Sequence, residues 1–87
     1  MAEIINRIVR SVQHMNEHGI APQRVELTSA AWHQLQKEMT DAGNALDADV
    51  VKGWPETIVG LPFSKNDALT YSAVVGNGTH GRVHVMV

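Results

Sequence analysis

The sequence lacks several features that would assign a protein to a familiar class. It contains no cysteine in 87 residues, which excludes disulfides, thiolate catalysis and cysteine zinc sites. Lysine and arginine number 7 against 9 acidic residues, so no cationic excess is available to neutralise nucleic-acid phosphates. The N-terminal segment has no stretch of ~20 apolar residues, because polar side chains interrupt it from Glu3 to Arg10. We therefore expect a soluble intracellular protein that binds neither nucleic acid nor membrane.

The length predicts a single domain, residues 1–87, with a small core. A domain of this size buries only somewhat more than ~60% of the surface that its unfolded chain exposes. Its hydrophobic fraction of 44% is that of an ordinary globular protein. We therefore expect a second copy or another protein to cover part of its surface, and a homo-oligomer is the expected state.

Two segments have the spacing of amphipathic helices. The first is predicted over residues 3–18 and ends at Gly19, with Pro22 preventing its continuation. Ile4 widens its apolar stripe and lies at the margin of that stripe, where it could contact a partner. The second helix begins at Thr28 or Ser29 and ends at Gly43. The inward residues of the two helices are Ile5, Ile8, Val9, Val12 and Met15 in the first, and Trp32, Leu35, Met39 and Ala42 in the second.

The remaining segments favour strands and turns. Residues 24–27 alternate polar and apolar side chains, and residues 57–63 form an apolar run. Residues 44–57 between them indicate a long connection with one turn of helix. Asn77-Gly78 predicts a hairpin between two β-rich runs. Together these elements predict an α+β fold of order α-β-α-β-β-β, with two helices on one face of a largely antiparallel sheet of three to four strands.

The faces of the predicted hairpin indicate which side chains a partner can reach. Val83, Val85 and Val87 are expected to point inward, and the intervening residues to share the outer face with Tyr71. Trp54, between Gly53 and Pro55, either plugs the edge of the core or is presented to a partner. The candidate partner-binding residues are Ile4, Trp54, Tyr71, His80, Arg82 and His84.

No motif predicts catalysis, a cofactor or a metal. His14 and His18 are one helical turn apart, but His18 is at the helix end. His80 and His84 would lie about 13 Å apart along a strand, too far to hold one ion directly. The sequence has no GxSxG elbow, and the glycine-rich residues 76–81 lack the Lys-Ser/Thr pair of a phosphate loop. A histidine-based metal-dependent enzyme is therefore the third hypothesis, behind two non-catalytic ones.

Two stretches carry a family resemblance. VELTSAAWHQLQKEM, with its AxWxxLxxE helix, and TIVGLPFSKNDAL, with its IxGxPF strand, are similar to a strand-helix-strand segment of tailed-bacteriophage capsid-type proteins. The similarity covers residues 25–69. Because the chain is too short for the complete capsid fold, the resemblance implies a small phage or prophage protein in the host cytoplasm or the virion.

The resemblance implies a role without catalysis. The first hypothesis is contact with phage structural proteins during virion assembly or in the virion. The alternative is a small inhibitor that binds and blocks a host protein, such as a defence nuclease. No feature of the sequence decides between a phage partner and a host partner.

Overall fold

Three helices and one five-stranded sheet form the part of the chain that the structure, a computed structural model, describes: residues 3–42, 46 and 48–87. The elements are, in chain order, α1 (Glu3–Glu17), β1 (Ala21–Leu27), α2 (Ser29–Ala42), α3 (Ala48–Val51), β2 (Thr57–Ile58), β3 (Leu61–Lys65), β4 (Ala73–Gly78) and β5 (Gly81–Met86). The α+β class is therefore confirmed, and the order α-β-α-β-β-β is wrong because α3 and one further strand are present.

Helix α1 matches the predicted helix 3–18 to within one residue. Its apolar stripe is buried, with Ile5, Ile8 and Met15 each at most 1% exposed. The helix ends where Gly19 adopts a positive φ of 70°, and the N–H of Ile20 donates back to the carbonyl of Met15 at 2.8 Å. The helix therefore ends at Gly19, as predicted.

Helix α2 is capped by Thr28, whose Oγ1 accepts a hydrogen bond from the N–H of Ala31 at 3.2 Å. Leu35 is fully buried on its inward face, as predicted. The same face also buries a carboxylate that the sequence did not reveal. Glu38 is 5% exposed and accepts hydrogen bonds from the backbone N–H groups of Ile4 and Ile5, at 2.9 and 3.0 Å. This carboxylate joins α2 to the first turn of α1 and satisfies two N–H groups that a helix start leaves unpaired.

The sheet is mixed, and its strand order is β2-β3-β1-β4-β5. The central strand β1 pairs parallel with β3, where Val25 lies opposite Phe63, and antiparallel with β4, where Val25 lies opposite Val74. The prediction of three to four largely antiparallel strands was therefore wrong. The parallel pair arises because the chain between β1 and β3 includes α2, which is long enough for a crossover that returns the chain in the same direction.

The predicted strand over residues 57–63 is two strands joined by a tight turn. Ile58 of β2 pairs with Leu61 of β3, and Val59 and Gly60 between them have φ of 54° and 75°. Two positive φ values are what a type I′ hairpin turn requires, but a β-branched residue rarely adopts one. The Val59 side chain packs against the core and its N–H donates to the carbonyl of Val50 at 3.0 Å, so tertiary contacts stabilise the strained residue.

The C-terminal hairpin has the predicted faces but a different turn. Asn77 and Gly78 belong to β4, and Gly78 lies opposite Gly81, so the turn is at residues 79–80. The turn is shifted by two residues from its predicted place, and a shift of two leaves each side chain on the same face of the sheet. Val85 lies opposite Val74 and packs against the core, whereas His84 is exposed, so the inward and outward assignments are confirmed.

The core lies between the helices and one face of the sheet. Helix α1 contacts β1, β4 and β5, and α2 contacts β1 and β3. The buried residues of this core are Ile4, Ile5, Ile8, Met15, Val25, Leu27, Leu35, Ile58 and Val74. No helix within the described residues combines the length and apolar character needed to cross a membrane.

Candidate protein-interaction site

Strand β5 is an edge of the sheet, and its outward backbone groups can be identified from one hydrogen bond. The N–H of Val87 donates to the carbonyl of Ser72 at 2.9 Å, so the odd-numbered residues of this segment point their backbone groups toward β4. Arg82, His84 and Met86 therefore point theirs away from the sheet. In the described part of the chain, the N–H and C=O groups of Arg82 and His84 have no hydrogen-bond partner on that side. They form an open pairing edge.

Helix α1 is fixed against one end of this edge. The hydroxyl of Ser11, 5% exposed, donates a hydrogen bond to the carbonyl oxygen of Met86 at 3.1 Å. This contact occupies one outward carbonyl of β5 and sets the distance between the helix and the strand. The N–H of Met86 stays on the open side with the groups of Arg82 and His84.

A surface groove of about 390 Å³ lies between α1 and β5. Arg7, Arg10 and His14 line its helix side, together with Ser11; residues 85–87 line its strand side. Positions 7, 10, 11 and 14 share one helix face because they repeat at the helical period. Arg7 pairs with Glu3 at 2.8 Å, so the Glu3 carboxylate offsets its charge, and Arg10 is the lining arginine without an ion-pair partner in the described part of the chain. The groove thus combines an apolar floor with a cationic side.

The helix-free face of the sheet carries a second, smaller cavity of about 210 Å³. Glu26 of β1, His84 of β5 and Tyr71 line it, with residues 68–70 of the preceding loop and Ala73. The carboxylate of Glu26 is already engaged, since Oε2 accepts from Nε of Arg24 at 3.0 Å. Tyr71 is 45% exposed. These groups form a surface of mixed polar and apolar character beside the open edge.

The structure separates the six predicted partner-binding residues into two groups. Tyr71 and His84 line the same cavity, Arg82 follows on the same strand face, and exposed His80 occupies the hairpin turn. These four surround β5. The other two, Ile4 and Trp54, lie on the helix-covered side of the sheet.

Ile4 and Trp54 both pack against the protein's own core. Ile4 is 7% exposed and belongs to the core cluster, so its side chain does not provide a surface at the margin of α1. The Trp54 ring stacks on Phe63, with ring centres 5.4 Å apart and an angle of 4° between the planes. Of the two interpretations of Trp54, the structure therefore supports the plug at the core edge.

The histidines lie in two separate places. His14 and His18 have ring centres 4.3 Å apart on α1, and Nδ1 of His18 lies 2.9 Å from the carbonyl oxygen of His14. His80 and His84 lie on the hairpin. Within residues 3–42, 46 and 48–87, no three or more His, Asp or Glu side chains are grouped so that they could hold a metal ion.

Sequence reasoning missed the helix side of the groove. Arg7, Arg10, Ser11 and His14 form a polar stripe at the spacing of one helix face, immediately beside the apolar stripe. That spacing was visible in the sequence. What the sequence did not show was that β5 would lie next to this stripe, because only the sheet order brings them together.

No protein-family model matches the chain, and comparisons with curated proteins and with solved structures also gave no match. The resemblance of residues 25–69 to phage capsid-type segments therefore stays a prediction.

Proposed function

We propose that this protein is a non-enzymatic domain that acts through protein–protein contact at β5. The supporting observation is the pairing edge at Arg82 and His84, which opens beside a groove with an apolar floor. Exposed sheet edges of this kind pair with extended segments of other proteins, and the backbone hydrogen bonds supply affinity.

The resemblance of residues 25–69 to tailed-phage proteins supplies the biological context of the proposal. A phage or prophage protein of this kind would contact phage structural proteins in the host cytoplasm or the virion, with a role in assembly or structure. An inhibitor that blocks a host defence protein would use the same edge. The two roles differ in the partner and share the surface, so identifying the partner distinguishes them.

Site-specific cross-linking in producing cells tests the proposal. A photoreactive amino acid is placed at Met86, which is 66% exposed beside the edge, or at Thr40, an exposed position on α2, as a control. We expect position 86 to cross-link to one discrete protein and position 40 to give no such product. Mass spectrometry of the product, and of purified particles, then assigns a phage or host partner. Equal labelling from both positions, or none from position 86, would contradict the proposal.

A further inference from the structure

The charge around β5 differs in sign from that of the whole chain. The protein has a formal net charge of −2, yet three of its four arginines, Arg7, Arg10 and Arg82, lie on α1 and β5 around this edge. The fourth, Arg24, is paired with Glu26 at 2.9 Å. Of these three, Arg7 alone has an ion-pair partner within the described residues. Arg10 in the groove and Arg82 on the other face of β5 are therefore uncompensated cations at the edge of an acidic protein, which favours an acidic occupant.

We propose that the partner at β5 is an extended acidic segment that adds to the sheet as a sixth strand. This inference rests on the proposed function and specifies the chemistry of its partner. The backbone of the segment pairs with the outward groups of Arg82 and His84 and with the N–H of Met86. Its carboxylates face Arg10, Arg7 and His14 across the groove.

The Ser11 contact determines how far this pairing extends. Since the Met86 carbonyl already accepts from the Ser11 hydroxyl, the ladder available to a partner ends at the Met86 N–H. Successive side chains of a strand point to opposite faces, so every second residue of the added segment faces α1. The segment that fits best therefore carries acidic residues at alternate positions.

A second copy of this chain fits the edge less well. Antiparallel pairing of β5 with β5 about a twofold axis would place Arg82 of each copy near the same short interface. It would also bring the cationic sides of the two grooves, lined by Arg7 and Arg10, toward each other. Like charges close together across strands are destabilising. The apolar stripe of α1 offers no alternative self-contact, because Ile5, Ile8 and Met15 are buried in its own domain.

Fluorescence anisotropy with synthetic peptides tests this inference on the full chain. The probe is a fluorescein-labelled peptide of about ten residues that alternates Glu with Thr, a length sufficient for one strand. Three comparison peptides are used. One replaces Glu by Lys, and the other two carry N-methyl groups on alternate backbone nitrogens, each along a different edge of the strand, so that pairing through that edge is blocked. We expect the acidic peptide to bind, the basic peptide to show no binding, and methylation of the edge that pairs with β5 to weaken binding at least about tenfold.

Two protein variants of equal charge change locate the site. Arg10→Glu reverses a charge in the groove, and Lys37→Glu makes the same change at an exposed position of α2. We expect Arg10→Glu to weaken acidic-peptide binding about tenfold and Lys37→Glu to weaken it less than about twofold.

His84→Pro removes one outward N–H, and Pro is tolerated on an edge in that orientation. We expect His84→Pro to abolish binding of the acidic peptide, whereas His84→Ala, which keeps the N–H, should still bind it. Circular dichroism checks that both variants fold.

The outcomes distinguish this inference from the proposed function. Equal binding of peptides methylated on either edge would overturn strand addition, and equal loss in Arg10→Glu and Lys37→Glu would overturn the assignment of the groove. Light scattering that shows a dimer dissociated by His84→Pro would replace the acidic segment with a second copy. If position 86 cross-links to a partner in cells while no acidic peptide binds, the proposed function stands and this inference is wrong.

Discussion

The two edges of the sheet are built in opposite ways. At one edge, β2 has two residues, and Ile58 within it is 0% exposed. At the other, β5 has six residues and presents a row of outward backbone groups. A short, covered edge is a common protection against pairing with other chains. Because one edge of this sheet has that protection and the other lacks it, the open edge is the more informative about function.

The covering of the β2 edge comes from the segment before it. The Oγ1 of Thr57 donates to the carbonyl of Lys52 at 2.7 Å, and Val59 bonds to Val50 of α3. Trp54, stacked on Phe63 of β3, completes this side. Residues 50–54 thus protect the β2 edge, while α1 flanks β5 without covering it.

The largest expected effect of a single change is at the closed edge. Ile58→Ala should lower the free energy of unfolding by about 2–5 kcal/mol, because it opens a cavity at a fully buried position. Met86→Ala, at the open edge, should change it by less than about 0.5 kcal/mol. Urea denaturation of both variants measures the difference. Similar losses would mean that β5 is as well covered as β2.

A smaller effect separates the two faces of β5. Val85→Asp places a carboxylate against the core and should cost about 2–3 kcal/mol, whereas His84→Asp on the outer face should cost less than about 0.5 kcal/mol. Thermal denaturation monitored by circular dichroism is a sufficient measurement. Equal tolerance of the two substitutions would reverse the assignment of the faces.

The smallest effect concerns the contact between α1 and β5. Ser11→Ala removes the hydrogen bond to the Met86 carbonyl and should cost about 0.5–1.5 kcal/mol, with faster amide exchange at the end of β5. Thr40→Ala is the matched control, because the Thr40 hydroxyl donates to Gln36 within an exposed helix turn. If both variants lose the same stability and leave exchange in β5 unchanged, the Ser11 contact does not anchor the edge.

The helices and the faces of the hairpin could be predicted because their signals are local. The stripe of α1, its stop at Gly19 and the Thr28 cap each depend on residues within a few positions of one another. Which side chains of β5 point inward also follows from local alternation, and an error of two residues in the position of the turn leaves every side chain on its predicted face. These features therefore survive the misplaced turn at Asn77-Gly78.

The sheet and the groove could not be predicted because they depend on distant residues. Nothing near β1 in the sequence specifies that Val25 lies opposite Phe63. Similarly, Glu38 is buried because it meets the start of α1, and Val59 accepts a positive φ because α3 and the core contact it. The burial of Ile4 depends on distant residues in the same way, because Glu38 of α2 accepts a hydrogen bond from its N–H and its side chain belongs to the core.

The central position of β1 has a consequence for the order in which the protein can fold during synthesis. β1 ends at residue 27, but its two neighbours in the sheet, β3 and β4, end at residues 65 and 78. A nascent chain that has reached α2 can form local helix, but its first strand has no ladder to join. Pairings between distant segments require closing long loops first, and they slow folding relative to local contacts. Completion of the sheet therefore waits until the hairpin of β4 and β5 has left the ribosome.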